Sequence, residues 1–209
     1  MIDLAEVGTP FTDLRVDFSM PSTKQVDVSR LTFNVLGGAL ATRPFSYDLT
    51  AGATDVDVRL TGIQLPFMAE MTGLESVQVE GSLSGSVPLR IERNAVTGGN
   101  GRLTNDPPGG VIRLDAESAS TLAGSAGVEY VTRALDNFVF EALTSDVEYR
   151  PDGDLVLNMR LEGTNPSLDP DQPIVLNLGI ENNVPQLLRS LQALRSIEAM
   201  LENRLDTRE

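Results

Sequence analysis

The sequence predicts a mainly β fold with two helices, an α+β chain built on antiparallel strands. Three observations carry this. Apolar residues alternate with polar ones in about ten short runs, glycine-rich or polar breaks separate the runs at meander spacing, and two stretches change to helical spacing.

The first run places Leu14, Val16, Phe18 and Met20 at every second position around Arg15, Asp17 and Ser19, the pattern of a half-buried strand. The period recurs at Val26 and Val28 and, after a phase break at Arg30, at Leu31, Phe33 and Val35. Further runs follow at Phe45, Tyr47 and Leu49, and at Val56, Val58 and Leu60. Breaks at Gly37-Gly38, Ala51-Gly52, Gly98 to Gly101 and Asp106 to Gly110 fit hairpin connections, so residues 14–115 are expected to form a strand meander. Within it Leu65 to Leu74 bunches its apolar residues and reads as a short helical or irregular segment, after which Val77, Val79, Leu83, Val87, Leu89 and Ile91 resume the strands.

Between Ser118 and Thr144, Leu122, Val128, Val131, Leu135, Phe138 and Leu143 fall near helical spacing among many alanines. These predict a helix over 118–144, the end of that stretch being also readable as strand. Residues 147–181 read as a hairpin turning on Pro151-Asp152-Gly153-Asp154, then a last strand through Ile174, Leu176, Leu178 and Ile180. A C-terminal amphipathic helix is expected over 184–205, with Asn183 as cap and Pro185 in the first turn, where a missing N–H costs little. Its stripe includes Leu187, Leu188, Leu191, Leu194, Ile197 and Leu201 and needs a partner surface, first of all the chain's own sheet.

Composition removes most chemistry. The 209 residues contain no histidine and no cysteine, so the usual neutral-pH base, the thiolate nucleophile and the common zinc, copper and iron ligands are missing. Neither an enzyme nor a cofactor protein is expected. A formal charge of −14, with basic residues scattered singly, argues against nucleic acid and against docking on an anionic membrane. The first 25 residues hold no basic and apolar signal pattern, so a signal for export or anchoring is expected to lie outside this sequence.

The remaining motifs are structural. Asp152 and Asp154 flank a turn glycine without further acids at calcium-loop spacing, and Asp169 and Asp171 sit in a proline-punctuated loop. Gly81-Ser82-Leu83-Ser84-Gly85 puts leucine where a nucleophile elbow needs serine, and the glycines of 98–110 precede no Lys-Ser/Thr pair. Alternation alone leaves two architectures open: a sandwich whose oily faces meet, or an open curved sheet whose oily face lines a groove.

Three stretches resemble the C-terminal region of the AsmA-like intermembrane phospholipid transport family, in its YdbH branch, sometimes labelled dicarboxylate transport. The first is Leu31-Thr32-Phe33-Asn34-Val35-Leu36-Gly37-Gly38, a strand ending in a glycine pair. The second is Val79-Glu80-Gly81-Ser82-Leu83-Ser84-Gly85-Ser86-Val87-Pro88-Leu89, followed by Gly101-Arg102-Leu103 and Gly109-Gly110-Val111-Ile112. The third runs from Ala134-Leu135-Asp136-Asn137-Phe138 through Leu161-Glu162-Gly163-Thr164-Asn165-Pro166 to Leu176-Asn177-Leu178-Gly179-Ile180 and the Leu187-Leu188 helix.

The resemblance implies that residues 1–209 are a single C-terminal β-groove domain of a longer periplasmic protein, anchored in the inner membrane by an N-terminal helix absent here. The curved antiparallel sheet would form an open, β-taco-like groove for phospholipid. Its expected lining is Phe18, Val28, Phe33, Val35, Phe45, Tyr47, Val58, Leu60, Val79, Leu89, Ile91, Leu157, Met159, Leu176 and Leu178. The resemblance also implies a small outer-membrane lipoprotein as partner, met by an edge strand and helix through Ile174, Leu176, Ile180, Leu187, Leu191 and Leu194. Two rival readings are a strand-addition module with a closed core, and a carrier of small dicarboxylates, for which only scattered arginines such as Arg90, Arg93 and Arg102 are available.

Overall fold

The computed structural model describes residues 11–71, 77–93, 95–114 and 133–183. Twelve strands make one antiparallel sheet that curls into a half-barrel. They are β1 (Phe11–Ser22), β2 (Gln25–Val35), β3 (Gly38–Thr42), β4 (Phe45–Asp48), β5 (Ala53–Gln64), β6 (Val77–Glu80), β7 (Ser82–Glu92), β8 (Ala95–Asn105), β9 (Gly110–Leu114), β10 (Phe138–Tyr149), β11 (Asp154–Asn165) and β12 (Asp169–Asn183). A short helix, α1 (Leu65–Met71), follows β5, and 133–135 form a helical turn before β10.

The main path runs β1-β2-β3-β5-β7-β8-β10-β11-β12. The expected meander over 14–115 is therefore interrupted twice. β4 turns back onto the first half of β2, because Arg43-Pro44 breaks what would otherwise be one strand with β3 and proline cannot donate to a ladder. β6 leaves the path altogether and pairs with β9, which in turn pairs with the start of β10. This two-stranded flap, with α1 against β6, packs Leu65, Val77, Val79 and Ile112 into one core cluster with the apolar face.

The helix expected over 118–144 is corrected at its end, since 138–144 belong to strand β10; residues 115–132 lie outside the described residues. The reason is a bulge. Phe140 faces Gly163 and Ala142 faces Glu162, so Glu141 is an extra residue, and the three-residue step from Phe140 to Leu143 imitates helical spacing while both side chains stay on the buried face. The same device explains the phase break near Arg30. Asp17 faces Arg30 and Phe18 faces Val28, which leaves Ser29 unopposed and keeps Leu31 and Val28 on one side. In β5 Thr61 and Gly62 together face Ser84, one residue in excess, and Gly62 has a φ of 64° that glycine adopts without strain and an N–H held by Ser84 Oγ at 2.9 Å.

The predicted hairpin turn at Pro151 to Asp154 is present: Gly153 N–H donates to the Arg150 carbonyl at 2.9 Å, and Arg150 N–H to the Asp154 carbonyl at 2.8 Å. Asp169 and Asp171 open β12 instead of lying in a loop, with Asp171 N–H donating to Asp169 Oδ1 at 3.0 Å. Asn183 ends β12 and donates to Asp154 Oδ1 at 2.8 Å. The C-terminal helix expected over 184–205 lies outside the described residues.

Candidate functional site

Register decides which side chains share a face, because residues directly opposite in an antiparallel ladder point the same way. Phe33 faces Leu40, Leu40 faces Leu60, Leu60 faces Gly85 and Gly85 faces Leu103; the row continues through Ser145 and Met159 to Leu178. One face thus carries an almost uninterrupted apolar row across eight strands. A neighbouring row pairs Val58 with Val87, and further on Val147 with Leu157 and Leu157 with Ile180.

Of the expected lining, all residues but one stand on this face of the main sheet. Phe18, Val28 and Phe45 are a cross-strand trio, Tyr47 lies opposite Val26, Val35 opposite Gly38, Leu89 opposite Val56, Ile91 opposite Thr54, and Leu176 opposite Leu161. Val79 is the exception: it sits on the flap, opposite Ile112. Ile174, Leu176 and Ile180, expected at a partner surface, also belong to the apolar face and are buried or half-buried in it; Leu187, Leu191 and Leu194 lie outside the described residues.

Glycine takes the place of a floor side chain at several positions on β7 and β8. At Gly85 a Cβ would run into the Arg102 carbonyl oxygen and come within 2.9 Å of Leu103 Cα. The glycine therefore permits a backbone approach that any side chain would spread apart. Gly99 and Gly101 hold the equivalent floor positions on β8.

The face is not uniform. Over β7, β8, β10 and β11 the flap and α1 close onto it, and Leu83, Phe138, Phe140 and Leu161 are at most 1% exposed. Exposing four such side chains would cost about 6–12 kcal/mol at ~1.5–3 kcal/mol each, as much as a whole domain's stability, so this layer stays shut. At β1 the opposite holds: Leu14 is 52%, Val16 42%, Phe18 61% and Met20 56% exposed. Leu14, Val16 and Met20 were missing from the expected lining although their alternation was plain. Leu40 and Leu103 were missing because each stands alone in a stretch of small or polar residues.

The opposite face is charged and solvated. Arg90 holds both Asp55 oxygens at 2.9 Å and Glu92 at 3.2 Å, and the Asp55 hydrogen bond pushes the guanidinium pKa further up. Arg102 pairs with Asp146 at 2.7 Å and Arg113 with Glu80 at 2.7 Å. A depression of about 660 Å³ gathers Arg43, Arg59 and Arg102 with Ser84 and Ser86, but Asp57 pairs with Arg43 at 3.3 Å beside Arg59. These exposed pairs are individually weak and consume most of the cationic charge that a dicarboxylate site would need.

Asn165 is fully buried and fixes the entry to β10. Its amide donates to the Arg133 carbonyl at 2.9 Å, the Ala134 carbonyl at 3.2 Å and Asp136 Oδ1 at 2.7 Å, while its own oxygen accepts from Ser167 N–H at 2.7 Å. That satisfies the side chain's three-sided demand and locks the turn carrying Phe138 into the core.

Residues 1–206 match the family model described as YdbH-like, intermembrane phospholipid transport protein YdbH. No curated protein and no solved structure matches the chain.

Proposed function

Because the chain belongs to the YdbH-like family of intermembrane phospholipid transport proteins, we propose that its apolar sheet face binds phospholipid acyl chains and passes them along between the inner and outer membranes. Family membership implies an envelope, periplasmic location and phospholipid as cargo. The observation that supports acyl-chain binding is the uncharged apolar face of the curved sheet where water still reaches it, at Leu14, Val16, Phe18 and Met20 of β1. Each acyl methylene withdrawn from water onto such a face gains about 0.8 kcal/mol, with no chemistry required of the protein. The mechanism is passive partition and sliding, and the arginines and carboxylates of the other face keep the domain soluble.

The reading includes an inner-membrane tether and an outer-membrane lipoprotein. In this reading the tether is an N-terminal helix; among the described residues no helix is long and apolar enough to cross a membrane. The lipoprotein would add a strand to β12, which among the described strands pairs with β11 alone.

Native mass spectrometry of the chain purified from a bacterial envelope tests the central claim. A mass increment of one or two phospholipids, lost on delipidation and regained from vesicles, is expected. A chain that stays lipid-free under both conditions overturns the proposal.

A further inference from the structure

We infer that the depression on the charged face, between β5, β7 and β8, binds a small phosphodiester in solution: one singly charged phosphate group carried on a polyol. The site is independent of acyl-chain binding, because the sheet itself separates it from the apolar face.

Register builds the depression. Arg59 on β5 stands opposite Ser86 on β7, and Ser86 stands opposite Arg102 on β8. The backbones of the two arginines are thus about 10 Å apart at ~4.8 Å per strand, and the serine between them is too short to fill the gap. Two residues further along the strands, Ser84 stands opposite Thr104, and Thr61 follows Arg59 on the same side of β5. Ser84 Oγ already accepts the Gly62 N–H at 2.9 Å, which leaves its O–H to donate outward. A space of about 660 Å³ is far larger than a bare oxyanion, so the hydroxyls of Thr61, Ser84 and Thr104 are in place for the alcohol arms of an ester.

Charge selects the ligand. Arg43 is matched by Asp57 at 3.3 Å. Arg102 holds Asp146 through Nε at 2.8 Å and Nη2 at 2.7 Å, leaving Nη1 for a ligand oxygen. Among the described residues Arg59 has no ion-pair or hydrogen-bond partner, so the depression keeps one uncompensated positive charge. One charge neutralises a phosphodiester. A dicarboxylate would set its second charge against Asp57 or Asp146.

The test titrates the whole isotope-labelled chain with glycerophosphoglycerol and follows amide shifts by NMR. Saturable shifts at 59–61, 84–86 and 102–104 are expected. Arg59→Gln should weaken binding at least fivefold. Arg30→Gln, on the same charged face but outside the depression, should leave it unchanged. Ser86→Leu, at an exposed strand position, fills the gap between the arginines and should abolish the shifts while the remaining spectrum stays dispersed. Succinate should bind at least fivefold more weakly, and vesicles of phosphatidylglycerol should not carry the chain down on sedimentation. Absence of saturable shifts, shifts that Arg59→Gln leaves intact, or equal binding of succinate would overturn the site. Sedimentation with vesicles that depends on Arg59, without response to glycerophosphoglycerol, would overturn the soluble ligand in favour of a lipid headgroup.

Discussion

Phe18 on β1 stands directly opposite Val28 on β2, yet the phenylalanine is 61% exposed and the valine 9%. Paired residues share a face, so the difference arises from what lies above each: Val28 has Phe45 on its other side, whereas β1 is the last strand of the path. Replacing Phe18 with serine is expected to change stability by less than about 1 kcal/mol, since little is buried on folding. Phospholipid recovered with the purified chain should nevertheless fall several-fold, measured by quantitative lipid extraction. Equal recovery would remove Phe18 from the site.

Gly85→Ala is expected to destabilise by about 1–3 kcal/mol, because the added methyl meets backbone on the neighbouring strand and cannot be relieved by a rotamer change. Gly98→Ala is the matched control: the nearest atom to its Cβ is the Tyr149 carbonyl oxygen at 3.9 Å, an ordinary contact. Urea unfolding should show a lowered midpoint for the first and a shift within about 0.5 kcal/mol for the second. Equal behaviour of the two would refute close strand approach as the reason for Gly85.

Asn165→Leu removes a buried amide that serves three acceptors and one donor. The carbonyls of Arg133 and Ala134 would lose that partner, at about 1–3 kcal/mol per group left unsatisfied. The expected result is a loss of about 3 kcal/mol in chemical denaturation, with amide exchange around 133–140 accelerating first.

The Asp48 carboxyl lies below its ordinary range because the backbone N–H groups of Ala51 and Thr50 donate to its ionised form. A folded-state pKa below the unfolded value stabilises the fold above the unfolded pKa of about 3.9, and that stabilisation disappears as pH falls through the depressed value. Asp27, held down first by Ser46 and then by Gln25, behaves alike on the neighbouring strand. Thermal melts of the parent chain and Asp48→Asn should therefore differ from pH 7 to about 4 and converge below it. A gap that persists undiminished at pH 2.5 would argue against the carboxylate clamp.

The order of strands was largely legible wherever alternation was clean, as at Leu14 to Met20 or Leu155 to Leu161, because a two-residue period admits only one side-chain assignment per register. It failed where a bulge inserts a residue. Phe140 and Leu143 share a face at a three-residue step, and nothing local distinguishes that from a helical turn.

By itself the sequence determined the chemistry this chain lacks and the alternating oily and charged faces of its strands, since both follow from residue identity and a fixed period. Only the tertiary structure decided which part of the oily face is core and which is open. That depends on β6 pairing with β9 off the main path and packing with the apolar side chains of β7 to β11, a non-local pairing between residues 31 to 37 positions apart along the chain. The same leucine period thus yields an exposed ridge at β1 and a dry core at β11.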